Sequence, residues 1–257
     1  LELASPTRHE VRAMTPESAK RVLAAAANDW FSPLVIVALY TGLRQGELLG
    51  LRWEDVNLGR EAQARHRTRH AGDEDVHLAA VQTGRLAAHR GGEDKRGRLD
   101  GIHAGASLTV TRSLARLPGP DGTRYVLTEP KSATSRRTVP LAPAAVAALH
   151  LLRRASLSSD QQVNPWGLVF TRDGRPIDGT KLTREFQSAL RREGLSDMRW
   201  HDLRHGWVSL MLDSGVPLVE VSQMAGHSGL AITADIYGHL GHERRAEAIA
   251  KLAEVIG

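Results

Sequence analysis

The sequence predicts an α+β fold that is mainly α-helical and carries a small antiparallel β-sheet. Apolar residues recur at helical spacing before residue 60 and after residue 140. Between residues 107 and 140, apolar and polar residues alternate and Gly/Pro turns interrupt them, as in short strands. An apolar fraction of 41% is enough for a packed core.

Helix signals define the first sixty residues and most of the second half. Thr15 is a favourable N-cap and Pro16 a favourable first helical residue, so a helix should begin there and end near Ala27. A second helix is expected over 32–40, and Gly42 should break it before a short helix that starts near Arg44. Further helices are predicted over 143–155, 180–193, 202–214, 217–225, 232–238 and 243–255.

The strand region should form one small sheet. A strand is expected from Ser107 onwards, then a turn over 118–122, and strands over 125–128 and 137–140. The turn between the last two strands places Lys131 at its tip.

Residues 60–106 differ from the rest of the chain. They are rich in charged residues, histidine and glycine, and no apolar period persists in them. We therefore expect a long, irregular and disordered insertion. A loop of this length is uncommon inside a compact domain, so it needs an explanation of its own. Residues 1–13 are polar and are interpreted as a linker.

Composition narrows the functional classes. With 34 Lys and Arg against 29 Asp and Glu, the net charge is +5, which mildly favours a polyanionic partner. The chain has no cysteine, which excludes disulfides, a thiol nucleophile and thiolate zinc sites, and fits a cytoplasmic protein. The longest apolar run, 30–40, is too short to span a bilayer, and no signal peptide is apparent.

Two short motifs contain residues suited to phosphate chemistry. His201 and Arg204 are three residues apart and should share a helix face, where guanidinium can bind two phosphate oxygens and imidazole can pass a proton. Arg44 stands at a helix start after a glycine break, with Glu47 placed to fix its guanidinium. Surface residues, a simple helical ion pair and a metal pair of His201 with His205 are the alternatives.

Three more candidates are ordinary when considered singly. Lys131 lies in a basic, hydroxyl-rich turn, which is most often merely solvated. His227 follows a glycine, and Tyr237, one of three tyrosines, lies near a predicted helix end where packing is the usual role.

Together, these residues resemble the tyrosine recombinase (phage integrase) family. Residues 41–51, TGLRQGELLGL, are similar to its first arginine motif, and 130–141 are similar to its lysine hairpin. Residues 201–205, HDLRH, are similar to its His-x-x-Arg motif, while 226–228 and 234–237 are similar to its third basic position and its nucleophile motif. The resemblance covers roughly 14–59 and 107–257, and implies a recombinase-type catalytic domain over 14–257.

The resemblance implies the role of each residue. Tyr237 would attack a DNA phosphorus and form a 3′-phosphotyrosyl link, with no metal, ATP or other cofactor. The other roles it implies are charge stabilisation by Arg44 and Arg204, proton relay by His201, phosphate binding by His227, protonation of the leaving oxygen by Lys131, and orientation of the basic groups by Glu47. Double-stranded DNA and a homotetramer on paired sites are the implied partners.

Two departures keep alternatives open. The family usually has an N-terminal helical DNA-binding domain, which we expect to be absent from this chain. The 60–106 insertion is foreign to the family, and an additional DNA-contacting arm and a decayed gene are the alternatives to a disordered loop. A topoisomerase-like or resolvase enzyme using the same residues, and an inactive DNA-binding remnant, are therefore the alternatives. A metal phosphodiesterase would need an acidic cluster that the sequence does not show.

Overall fold

The computed structural model describes residues 14–59, 105–119, 122–129, 135–158, 164–195 and 198–226. Its seven helices within those ranges are α1 (Pro16–Ala26), α2 (Ser32–Thr41), α3 (Gln45–Leu49), α4 (Pro143–Ser158), α5 (Gly179–Arg192), α6 (Trp200–Asp213) and α7 (Leu218–Ala225). The strands are β1 (Val56–Asn57), β2 (Ser107–Val110), β3 (Ser113–Gly119), β4 (Gly122–Thr128), β5 (Arg137–Pro140), β6 (Thr171–Arg172) and β7 (Arg175–Pro176), and a 3₁₀ turn covers Trp53–Asp55. The mainly helical α+β prediction is confirmed.

The first two helices begin and end where the sequence signals place them. The hydroxyl of Thr15 accepts the Ser18 backbone N–H at 3.2 Å, and the Ser18 hydroxyl accepts the Thr15 N–H at 2.9 Å. Serine therefore completes the capping box that usually contains Glu or Gln. Helix α2 ends at Gly42, whose φ of 63° favours glycine, and a Cβ at that position would overlap the Trp207 ring.

Helix α2 is the centre of the core. Eight of its ten residues are buried, which is typical of a helix surrounded by other elements. It packs against α1, α4 and α6. Beside it, Phe186 stacks edge-on with Phe31 at 6.4 Å and with Trp200 at 5.1 Å between ring centroids, which ties α5 to α6.

The strands form three separate sheets, so the prediction of a single sheet was wrong. Strands β1, β2 and β5 form one antiparallel sheet in that order, whereas β3 pairs only with β4 and β6 only with β7 among the described residues. Strand β3, which runs directly into the expected turn, was not predicted as a separate strand. The chain leaves the first sheet at Thr111 and Arg112. There the Thr111 hydroxyl donates a hydrogen bond to the Asp55 carboxylate, and the Arg112 guanidinium donates one to the Glu54 carboxylate.

The ends of the proposed insertion lie next to each other. Val56 pairs with Leu108 and Asn57 with Ser107, and the Asn57 side chain donates to the Gly105 carbonyl at 3.0 Å. Ala106, the last residue of the proposed insertion, is only 3% exposed. Residues 60–104 themselves lie outside the described residues.

A second apolar cluster positions α7 on α6. Trp207, Val208 and Leu212 of α6 pack against Val221 and Ala225 of α7. Helix α7 then ends at Gly226 with a φ of 69°, as the glycine signal predicted. This packing directs the C-terminal end of α7 towards the start of α3. Among the described helices, none is long and apolar enough to cross a membrane.

Candidate active site

Arg44 is held at the start of α3 by Glu47. The Arg44 guanidinium donates through Nη1 to Glu47 Oε1 at 2.8 Å, and the Arg44 backbone N–H donates to Glu47 Oε2 at 2.9 Å. The side chain of Arg44 remains 40% exposed. An arginine that is fixed at one edge and open to solvent at the other can present its remaining donors to an anion.

Glu47 has a second cationic partner that sequence reasoning missed. Arg137 of β5 donates through Nη1 to Glu47 Oε1 at 3.1 Å and through Nη2 to Oε2 at 2.8 Å, and both side chains are almost fully buried. Burial opposes the charged form of Glu47, but the bonds and charges of Arg137, and then of Arg44, outweigh it and lower the pKa of this carboxyl. Glu47 is therefore a carboxylate at neutral pH.

Arg204, near the start of α6, reaches the same region. Its Nη1 donates to the Gly42 carbonyl at 2.7 Å and its Nη2 to the Ala225 carbonyl at 2.7 Å. The residue is only 3% exposed, in contrast to Arg44. Gly42, the glycine that ends α2, therefore has two roles in the site. Its carbonyl accepts a hydrogen bond from Arg204, and it lies two residues before Arg44 in the chain.

Three arginines bind the last three described carbonyls of α7 and its cap. The final carbonyls of a helix lack partners within the helix and carry its negative dipole end, so cations stabilise them. We call this arrangement the carbonyl clamp. Its pairs are Arg137 Nε with the Met224 oxygen, Arg204 Nη2 with the Ala225 oxygen and Arg44 Nη2 with the Gly226 oxygen.

His201 lies on the same helix face as Arg204, as the spacing predicted. Its ring is exposed and meets the His205 ring edge-on, with centroids 4.6 Å apart. Partial desolvation, and then the Arg204 charge, lowers the pKa of His201, and Arg44 contributes in the same direction. No group of three metal-ligating side chains occurs among the described residues, so the two histidines lack a third ligand there.

The structure brings Arg44, Glu47, His201 and Arg204 together from two distant parts of the chain. Lys131, His227 and Tyr237 lie outside the described residues. His227 nevertheless follows Gly226 directly in sequence, and Gly226 is a member of the carbonyl clamp.

Comparison with known proteins gives family-level similarity. Residues 120–244 match the family model described as "Phage integrase family". An integrase of Streptomyces ambofaciens is 31% identical over 240 residues, covering 88% of this chain and 48% of that protein. A protein named "Tyrosine recombinase XerC-like" from Caldanaerobacter subterraneus subsp. tengcongensis is 25% identical, covering 96% of this chain and 55% of that protein. The chain thus spans about half the length of these relatives.

Solved structures share the fold. The Tn1549 transposon integrase, in complex with transposon right end DNA, superposes with a TM-score of 0.67 at 16% identity, covering 98% of this chain and 69% of that chain. The XerA recombinase superposes with a TM-score of 0.58 at 21% identity, covering 95% of this chain and 66% of that chain.

Proposed function

Because the chain belongs to the tyrosine recombinase (phage integrase) family, we propose that it is the catalytic part of a site-specific DNA recombinase or integrase. It cleaves and rejoins DNA strands through a 3′-phosphotyrosyl intermediate. The observation that carries the proposal is that Arg44 and Arg204 both bind the end of α7, with His201 near enough for both charges to act on it, in a fold shared with recombinases.

The cleavage step requires a nucleophile, a proton acceptor and a proton donor. The Tyr237 hydroxyl attacks the phosphorus, forming an O–P bond while the bond between phosphorus and the 5′ oxygen breaks. His201 accepts or relays the tyrosine proton, and Lys131 protonates the departing 5′ oxygen. A 5′-hydroxyl of a partner strand reverses these steps and completes the exchange.

The charge that develops on the non-bridging oxygens is stabilised by the two arginines. Arg44 offers its exposed edge to the phosphate, while Glu47 fixes its direction. Arg204 adds positive charge from its buried position, and His227 binds the phosphate through its imidazole. The lowered pKa of His201 leaves the ring neutral at pH 7, which suits a proton acceptor.

The chain has two other tyrosines, Tyr40 and Tyr125, which are the alternative nucleophiles. Burial is the largest cause that raises the pKa of both Tyr40 and Tyr125. A raised pKa makes phenolate formation harder at each of them than at an ordinary tyrosine, which disfavours both as the nucleophile.

The substrate we propose is double-stranded DNA, bound by four copies of the protein on two paired sites. The basic balance of the chain, with a net charge of +5, favours a polyanionic partner. The Tn1549 integrase that shares the fold was solved with DNA, as was a XerH recombinase bound to its difH substrate after cleavage.

Trapping of a covalent adduct tests this function. A DNA site with a nick beside the scissile phosphate loses a short fragment after cleavage, so religation fails and the adduct accumulates. The wild-type protein and Tyr125→Phe should form the adduct, while Tyr237→Phe should bind DNA equally well and form none. An adduct with Tyr237→Phe, or none with the wild-type protein, would refute the proposal.

A further inference from the structure

We propose that Arg137 is a positioning residue for strand cleavage, acting by holding Glu47 and the end of α7 in one arrangement around Arg44. The inference rests on the proposed function, because it assumes that Arg44 contacts the scissile phosphate. The side chain of Arg137 is only 6% exposed, and its described hydrogen bonds go to the Glu47 carboxylate and to backbone carbonyls. Because Glu47 in turn binds Arg44, Arg137 acts on cleavage through Arg44.

Arg137 and Arg44 share the Glu47 carboxylate. Each of its oxygens accepts one hydrogen bond from Arg44 and one from Arg137, at distances between 2.8 and 3.1 Å. Arg137 thereby fixes the plane of the carboxylate, and the carboxylate fixes the direction of the Arg44 guanidinium. Without Arg137, this buried carboxylate keeps one cation and can rotate towards it.

Arg137 also contacts the end of α7. Its Nε donates to the Met224 carbonyl. A Cβ added at Gly226 would lie 2.8 Å from Arg137 Nη1, so the guanidinium packs directly against the backbone of this glycine. Arg44 donates to the carbonyl of the same Gly226 at 3.0 Å. Arg137 therefore supports both protein groups that hold Arg44.

A lysine cannot replace this geometry. The planar guanidinium binds both Glu47 oxygens through Nη1 and Nη2 while Nε points to Met224. An ammonium is a single centre, so it can keep the charge beside Glu47 but not all three directions at once.

Single-turnover cleavage at saturating DNA separates positioning from binding. Arg137→Gln should lower the cleavage rate about 10- to 100-fold, the size expected for a catalytic group displaced by up to about 1 Å. The matched control is Arg136→Gln, which removes the same charge from the adjacent, exposed arginine. DNA affinity should be the same for the two variants. If Arg137→Gln cleaves as fast as Arg136→Gln, the inference is wrong.

A double-mutant cycle distinguishes positioning from a general loss of structure. Because Arg137 acts in part through Glu47, the rate loss of the double variant Arg137→Gln/Glu47→Gln should be smaller than the product of the two single losses, the further slowing coming only from the contacts of Arg137 with α7. Rate losses that multiply would overturn the inference. If Arg137→Gln does not fold, Arg137→Lys is compared with Arg136→Lys: slower cleavage supports the inference and equal cleavage overturns it.

The same experiment distinguishes failure of the inference from failure of the proposed function. Without an adduct from the wild-type protein, the proposed function fails and this inference fails with it. With a wild-type adduct and equal rates for the Gln variants at 136 and 137, the inference alone fails.

Discussion

At the scale of single residues, the two arginines assigned to the phosphate differ in their surroundings. Arg44 is 40% exposed along its side chain, whereas Arg204 is 3% exposed and satisfies two backbone carbonyls. Arg204 is therefore part of the structure as well as of the proposed chemistry, and its substitution should affect both.

We expect Arg44→Ala and Arg204→Ala each to slow cleavage by about 10²–10³-fold, the usual loss of one charge-stabilising donor. Arg204→Ala should also lower the free energy of unfolding by at least about 2 kcal/mol, and by more than Arg44→Ala, because it leaves two carbonyls unpaired around a buried side chain and each unpaired buried carbonyl costs about 1–3 kcal/mol. Denaturant unfolding measures this, with the exposed Arg192→Ala as the control. Equal stability of the two variants would contradict this distinction.

The two histidines of α6 predict a pH dependence of stability. Desolvation is the largest cause that lowers the pKa of both His201 and His205 from the ordinary value of 6.5, so the folded protein binds fewer protons than the unfolded chain below that value. Stability should therefore decrease as the pH falls through and below about 6.5.

Thermal melting between about pH 7 and pH 5 measures this decrease, and His205→Gln should make it smaller. Among the described charges that act on His205, Asp202 favours protonation of its ring, whereas His201 and Arg204 oppose it. A steeper dependence in His205→Gln than in the wild type would show that the sign is wrong.

In the described part of the site, Arg44, Glu47, His201 and Arg204 could be selected from the sequence, and Arg137 could not. Arg44 with Glu47, and His201 with Arg204, are pairs three residues apart, so local spacing and motif similarity select them. Arg137 meets Glu47 across 90 residues, and its neighbour Arg136 has the same chemistry in the sequence. Only the register of β5 decides which of the two arginines faces Glu47.

At the scale of elements, helix boundaries were predicted well because their signals are local. Thr15, Gly42 and Gly226 each mark a helix end within a few residues of sequence. The sheets were predicted poorly, since alternation identifies a strand but not its partner. Strand β2 pairs with β1, from which residues 58–106 separate it, and with β5, from which β3 and β4 separate it, while β3 leaves that sheet altogether.

The pairing of β1 with β2 predicts that residues 60–104 are dispensable. Asn57 and Ser107 are register partners, so a short Gly/Ser linker between residues 59 and 105 can close the hairpin. The shortened protein should keep its melting temperature and its cleavage rate. If it folds normally but binds DNA more weakly, the segment is a DNA-contacting arm, and an unfolded product would contradict its placement as an insertion.

At the scale of the whole molecule, the described site contains cations and one buried carboxylate, without a group of three metal ligands among the described residues. Because the proposed reaction uses the Tyr237 hydroxyl as the nucleophile and protein side chains for charge stabilisation and proton transfer, cleavage should continue at an unchanged rate in an excess of a metal chelator. A loss of activity that added Mg²⁺ restores would favour a metal phosphodiesterase instead. A known metal-dependent nuclease, assayed in parallel, is the control.

The central claim is that Tyr237 forms a covalent bond to DNA, and the most direct measurement identifies the linked residue and the linked DNA end. The adduct from the nicked site is digested with a protease, and the DNA-bound peptide is sequenced by mass spectrometry. The account predicts a 3′-phosphate ester on the peptide that contains Tyr237, together with a free 5′-hydroxyl. Attachment to any other residue, or to a 5′ phosphate, would contradict it.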